Sequence, residues 1–360
     1  MRIGILTFHR AYNYGAVLQC YALQECLKEK GHKVEVIDYR QAWTEDLRKV
    51  FSLSKINQLR SHPLALLKYI LSCNKRKKKL RRSSKIFDTF INNHFNLSVS
   101  CYDKNDIPCG YDAYIIGSDQ LWGVSCTGGK LDEVYAGCFK HNNSRLIGYA
   151  ISTNINSLNI IGKSLIEKYI KNFSNISLRE RFAVDYFKNN GINNIELCID
   201  PTLLSSTEIW DNIINDKWIT RKFIFIYQAR DYTLNHNLLH QKAQDVQKLL
   251  GKEYEIIDAS DMSYEIGDFL GMIKYAGCIL TTSFHATVFS ILFKRPFYTF
   301  KLNDGADGRY IELLKSLKLE NHCVDTKFKI KSLITIGKQT EIHLNEYKRD
   351  SISFFKKSLK

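Results

Sequence analysis

The chain predicts an α/β protein of two Rossmann-like parallel-sheet lobes facing a cleft, and three observations carry that prediction. Short apolar runs of strand length alternate with helix-period segments almost from end to end. The alternation comes as two successive series, separated by a pause over residues 205–222, and each βαβ series closes into its own sheet through right-handed crossovers. The length of 360 residues matches about two domains at roughly 150 residues each. The boundary falls at residue 206. The first lobe covers 1–205, with a basic insertion near 43–95, and the second covers 206–360.

The elements follow in order. RIGIL (2–6) is a compact buried strand, and Asn13-Tyr14-Gly15 is turn chemistry. Ala16 to Lys30 reads as a helix with Val17, Leu18, Tyr21, Ala22 and Leu27 on one side and Gly31 as its stop. KVEVIDY (33–39) is the next strand, and after a long helical region come AYIIGS (113–118), RLIGYAIS (145–152), NISLRE (175–180) and NIELCID (194–200). The helical stretch IIGKSLIEKYIKNF leads into the fifth of these strands, and RFAVDYFKNNG lies between the fifth and sixth. The second series is KFIFIYQ (222–228), EYEIID (253–258), CILTTS (278–283) and PFYTF (296–300), with helices expected over 234–250, 265–276, 284–294 and 309–318. A last helix over about 344–358 has the option of packing back on the first lobe.

Composition narrows the function classes. At 44% hydrophobic and 25% charged, with four prolines, the chain is neither disordered, collagenous nor a disulfide scaffold. Its ten cysteines are scattered, with no CxxC and no Cys/His pair at metal-ligand spacing, so no metal is expected and reduced thiols in the cytoplasm are the simplest reading. The N-terminal apolar run turns polar by residue 9, unlike a signal peptide, and no run of 18 apolar residues calls for a membrane span. The 52 basic and 37 acidic side chains leave a formal charge of +15, and eight of the positive charges fall in residues 75–85, KRKKKLRRSSK. Such a field favours an anionic partner. The run lacks interleaved aromatics and a recognisable module, so no nucleic acid is expected. It reads either as a solvated helix face or, with the apolar LALLKYIL (64–71) before it, as a segment for peripheral contact with anionic membrane.

Ligands of open parallel sheets bind beyond the C-terminal ends of the strands, which marks the polar residues that matter. The first turn, TFHRAYNYG, lacks the GxGxxG of a dinucleotide cradle, although a helix start after Gly15 can receive one anion, and Asn13 also suits a plain helix cap. His9 reads as a packing or solvated residue. GSDQLW (117–122) sets Ser118, Asp119 and Gln120 at a strand end. It reads as a turn with Asp119 as a cap, or as a sugar site with Trp122 as the ring beneath. Arg179, in SLRER, emerges at another strand end, suited either to a carboxylate or phosphate or to a salt bridge with Glu180 or Asp200. Asp200-Pro201 reads as turn chemistry. In TTSFHATVFS (281–290), His285 falls in the first turn of a helix that follows a strand, facing the cleft, where it suits a general acid or base as well as a hydrogen-bonded packing role. Lys301, close after the PFYTF strand, and Arg309, at a helix start after the Gly-rich turn DGADG, are further cations, for an anion or for solvent.

Taken together, GILTFHRAYNYGAVLQCYALQECLKEKGHKVEVIDY, YDAYIIGSDQLW, SLRERFAVDYF, CIDPTLL, IGDFLGMIKYAGCILTTSFHATVFSILFKRPF and the Arg of GRYIELL make the chain similar to the polysaccharide pyruvyl transferases, over residues 3 to about 317. The resemblance implies a GT-B-like pair of lobes. It also implies transfer of pyruvate from phosphoenolpyruvate to two hydroxyls of a sugar, as a cyclic ketal, with release of phosphate and no cofactor. By carry-over, Arg179 and His285 are the catalytic candidates. Ser283, Lys301 and Arg309 join them for the donor, and Asn13, Tyr14, Asp119, Gln120 and Trp122 are assigned to the acceptor. The acceptor is expected to be a galactose-type sugar in a capsular or exopolysaccharide precursor, free or lipid-linked. Ala286 and Gly123 depart from the residues common in that family, and Ser283 stands where some branches carry Arg. Two other classes stay open: a sugar-nucleotide glycosyltransferase of the same architecture, and a non-catalytic membrane-surface binding protein.

Overall fold

A computed structural model describes residues 1–229, 236–303, 305 and 307–360. The first series of strands is β1 (Arg2–Leu6), β2 (Lys33–Val36), β3 (Ala113–Ile116), β4 (Arg145–Ile151), β5 (Asn175–Leu178) and β6 (Ile195–Leu197). They form one parallel sheet in the order β2-β1-β3-β4-β5-β6. The second series is β7 (Phe223–Tyr227), β8 (Glu255–Asp258), β9 (Cys278–Thr281), β10 (Phe297–Phe300) and β11 (Cys323–Val324), also parallel, in the order β11-β10-β9-β7-β8. Helices cover both faces of such sheets, which is why AYII and FIFIY are apolar at every position, CILT and FYTF at all but one threonine each, and every one of their residues is buried.

Several boundaries move for local reasons. The first helix runs Tyr14–Lys28 and starts earlier than its apolar spacing suggests, because the Asn13 side chain caps it by accepting from the Ala16 N–H at 3.2 Å. The stretch before β5 is a helix over Ile155–Ser164, followed by a wide turn over Leu165–Tyr169 and a tight one over Ile170–Asn172. β11 was not foreseen, since a two-residue strand carries no period. The helix expected over 234–250 is His236–Leu250, and residues 234–235 lie outside the described residues, as do Asp304 and Ala306 of the turn before Arg309. The insertion is four helices: Ala42–Leu47, Leu53–Leu59, Pro63–Leu71 and Cys73–His94.

The lobes share a core. One apolar cluster runs without a break from Ile3, Val17 and Tyr14 of the first lobe, through Trp210, to Phe225, Phe269 and Phe289 of the second. Tyr14 stacks on Phe269 with ring centroids 4.1 Å apart. The last helix, Lys338–Ser358, lies against the first sheet: Phe355 stacks on Tyr149 at 4.2 Å, and the Ile199 N–H donates to Ser351 Oγ at 3.0 Å. An apolar interface of this kind holds two lobes at a fixed separation.

Gly117, between β3 and the cleft, has φ +138°, and a Cβ there would lie 1.9 Å from the Tyr149 carbonyl oxygen. Gly117→Ala is expected to destabilise the fold by about 3 kcal/mol or more, read as a lowered urea midpoint; an unchanged midpoint refutes the close packing.

Candidate active site

Each sheet has one point where the chain turns from building in one direction to building in the other: between β1 and β3 in the first lobe, and between β7 and β9 in the second. Loops leaving these strand ends cannot pack side by side, and the gap between them is where open parallel sheets bind ligands. Here both gaps open on one cleft of about 860 Å3. Asn13, Asp119 and Gln120 line it from the first lobe, and Ser283, Phe284, His285 and Arg309 from the second.

His285 is placed by the start of the helix Phe284–Leu292. Ser283 caps that helix, its Oγ accepting from the Ala286 N–H at 3.3 Å, and the Thr287 hydroxyl ties the first turn to Thr299 at 2.6 Å. The imidazole projects toward the start of the first-lobe helix Tyr14–Lys28, so two helix N-termini, each with unpaired N–H groups and a partial positive charge, converge beside it. The fit is close. A Cβ on Gly15 would lie 2.0 Å from His285 Nδ1, which explains why glycine stands there. Gly15→Ala is therefore expected to displace the ring and lower turnover by about 10²-fold with little loss of thermal stability; wild-type turnover refutes the placement.

The other ring nitrogen, Nε2, lies 3.5 Å from Asp200 Oδ2, beyond good hydrogen-bonding geometry, and among the described residues has no closer partner although it is buried. Asp200 works with both oxygens. Oδ1 accepts from the Thr202 N–H at 3.0 Å and from its hydroxyl at 2.6 Å, the turn chemistry expected of Asp-Pro. Oδ2 accepts from Arg179 Nη1 at 2.5 Å and from the Ser118 hydroxyl at 3.3 Å. Burial alone would raise this carboxyl; His285, the Arg179 charge and the Thr202 hydroxyl outweigh it and hold Asp200 well below the usual carboxylate range.

Arg179 and His285 thus meet on one carboxylate, but not as two hands on one ligand. The guanidinium is buried, donates also to Glu180 Oε1 at 3.2 Å and Ser152 Oγ at 2.8 Å, and is covered by the Phe284 ring, whose centroid lies 4.2 Å away. It lines a separate cavity of about 40 Å3 that shares Phe284 and Arg309 with the cleft. Its donors being taken by three oxygens, Arg179 is a positioning residue for Asp200 rather than a cation facing the cleft. Burial lowers its pKa, and the carboxylates of Glu180, Asp200 and Asp119 raise it more.

Three further assignments are corrected. Trp122 is fully buried with its indole N–H donating to the Tyr135 carbonyl at 3.0 Å, so it forms core and not a sugar platform. Tyr14 is fully buried between the lobes, its hydroxyl donating to the Tyr264 carbonyl at 2.6 Å. Lys301 prolongs the β10–β11 pairing, its N–H donating to the Val324 carbonyl at 2.9 Å, and does not line the cleft. Asp119 lines it while its Oδ1 accepts from the Gln120 N–H at 2.8 Å. His9 is buried, with Nε2 3.0 Å from Asp38 Oδ1, in a network where Arg10 grips both oxygens of Asp38. Burial would raise Asp38, but His9, Arg10 and Ser100 pull it below the usual range.

Sequence reasoning missed the basic wall of the cleft. Arg48, Arg76 and Lys79 of the insertion line it together with Arg309, against the carboxylate of Asp119 alone among the described residues. The charge run had given the sign of the field but not its direction.

Depressed carboxyls at Asp38 and Asp200 bind fewer protons folded than unfolded. Their stabilisation is whole above an unfolded value of about 3.9 and is lost as the pH falls below it toward the folded values. The melting temperature should hold above about pH 5 and drop steeply below about pH 4; a flat profile refutes the assignment.

Two facing parallel-sheet lobes, with a cation-lined cleft at their switch points, define a two-lobed α/β protein with a ligand site between its halves. A family model described as polysaccharide pyruvyl transferase matches residues 13–304, and the chain belongs to that family of transferases. Comparison with curated proteins returns no match. Among solved structures, the chain is similar in course to UDP-GlcNAc 2-epimerase from Methanocaldococcus jannaschii (TM-score 0.45, 10% identity, 96% of this chain and 92% of that one). It is similar likewise to MnaA of S. aureus in a structure with UDP (0.45, 10%, 98% and 89%) and to UGT89C1 of Arabidopsis thaliana (0.39, 9%, 99% and 93%).

Proposed function

We propose that the chain transfers pyruvate from phosphoenolpyruvate to two hydroxyls of a sugar, with His285 as general acid and base. The observation that carries this reading is His285 itself: a cleft-lining imidazole at the meeting of two helix N-termini, one nitrogen backed by a buried, ionised Asp200 that Arg179 and Ser118 hold in place.

Phosphoenolpyruvate carries a phosphate and a carboxylate. The helix starts at Tyr14 and Phe284, with Arg309, suit these two anions, and the Asn13 and Ser283 caps orient the helix starts. His285 delivers a proton to the methylene carbon, which leaves an oxocarbenium-like centre that one sugar hydroxyl attacks. The second hydroxyl then bonds the same carbon as the carbon–phosphate oxygen bond breaks. One hydroxyl proton restores His285 and the other leaves with phosphate. Asp200, close to Nε2, stabilises the protonated ring, and the long contact shortens when the ring is charged. Asp119 and Gln120, across the cleft, suit sugar hydroxyls, as a galactose-type acceptor requires. No organic cofactor or metal enters this scheme.

The test follows phosphate release and acceptor mass with purified protein, phosphoenolpyruvate and a galactoside. Phosphate release with a mass gain equal to one ketal supports the reading. Consumption of a nucleotide sugar with no use of phosphoenolpyruvate overturns it in favour of glycosyl transfer.

A further inference from the structure

The helix Pro63–Leu71 has no buried residue. Tyr69 anchors it, accepting from the Ser52 N–H at 2.9 Å and lying under the Arg76 guanidinium. At 100° per residue, Leu64, Leu67 and Leu71 fall opposite Tyr69 and form an outward apolar stripe, with Leu64 77% and Leu71 73% exposed. Leu47, Phe51 and Leu53, from the neighbouring insertion segments, are exposed as well.

The next helix, Cys73–His94, turns Cys73, Ser83 and Phe87 inward and leaves Lys75, Lys77, Lys78, Lys79, Arg81, Arg82 and Lys85 exposed. Exposed leucines beside a dense cationic face lower solubility without serving the core. Together they match a surface that is apolar just below its phosphates and anionic at its rim. Among the described residues no helix is long and apolar enough to cross a membrane, so contact of this kind lies on the surface.

We infer that residues 42–94 dock the protein on an anionic lipid bilayer, with the Leu64–Leu67–Leu71 stripe entering the headgroup boundary and the 75–85 cations on the lipid phosphates. The cationic helix also lines the cleft through Arg76, Lys79 and Leu80, so a docked bilayer lies beside the cleft mouth. A saccharide on a lipid carrier would then reach the site from that side. The docking itself is independent of the donor proposed above, and it is measured without substrate.

Co-sedimentation of the full chain compares vesicles rich in phosphatidylglycerol with vesicles of phosphatidylcholine alone. Binding to the anionic vesicles that weakens in salt is expected. The triple variant Lys75→Gln, Lys77→Gln, Lys78→Gln should weaken it by about 100-fold, at about fivefold per residue. Leu64→Ser with Leu67→Ser and Leu71→Ser should weaken it by about tenfold or more. These side chains are exposed, and unchanged thermal unfolding confirms that the variants fold. Failure to bind anionic vesicles overturns the inference, as does binding that ignores both variants. Self-association lost in the leucine variant, or binding to RNA without binding to vesicles, assigns the surface to another partner and equally overturns it.

Discussion

His285→Ala should lower phosphate release from phosphoenolpyruvate by about 10³-fold, within the range that a positioned general acid or base supplies. The expectation rests on place more than on residue type. The imidazole lines the cleft, and its Nε2 is buried 3.5 Å from Asp200 with no nearer partner among the described residues. His9, by contrast, lies off the cleft with both ring nitrogens engaged, by Thr7 and Asp38. If His285 only filled space, His285→Gln would keep most of the volume and most of the rate. If it transfers protons, Gln is as inactive as Ala, and near-normal turnover in either variant sinks the role. The Asp200→Asn variant separates orientation from chemistry: it should lower kcat with KM for phosphoenolpyruvate little changed, because Asp200 touches His285 and not the cleft.

Arg179→Met should destabilise the fold by about 3–5 kcal/mol, the larger of the expected effects on stability. The guanidinium has three oxygens around it on Glu180, Asp200 and Ser152, all in buried residues, and removing it leaves two carboxylates unmatched in the interior. Methionine keeps much of the stem packing beneath Phe284, so the loss measured is chiefly electrostatic. Urea unfolding of Arg179→Met beside Arg179→Lys checks it. Lysine restores the charge but not the fork, and should recover only part of the loss. A midpoint unchanged in Met would mean that the network is solvated. A stable Arg179→Met with a raised KM alone would return Arg179 to the role of a donor-binding cation.

The two lobes were legible because strand and helix periods are local properties. FIFIY is apolar throughout, and CILT is apolar but for Thr281, because both faces of their sheet are covered. β11 was not legible, being two residues long, and the break after Ser164 leaves no mark on an apolar spacing that continues through it. At the site, His285 and Arg179 were found as strand-end residues, and Asp200 was read as a turn, which it also is.

What residue order settled here is the architecture, the two switch points and the short set of polar groups at the strand ends, since each depends on near neighbours in the chain. Only the tertiary structure decided which of those groups meet the cleft. Trp122 and Tyr14 stand one or two positions from cleft-lining residues and still point into the core, because a turn can aim adjacent side chains oppositely and the apolar surface available decides which way. Arg179 was drawn off the cleft by two carboxylates, one of them 21 positions away in the chain. The Arg76 and Lys79 charges reached the cleft wall because their helix packs Cys73, Ser83 and Phe87 inward. Charge and burial at a site are set by contacts between distant segments, and no local pattern carries them.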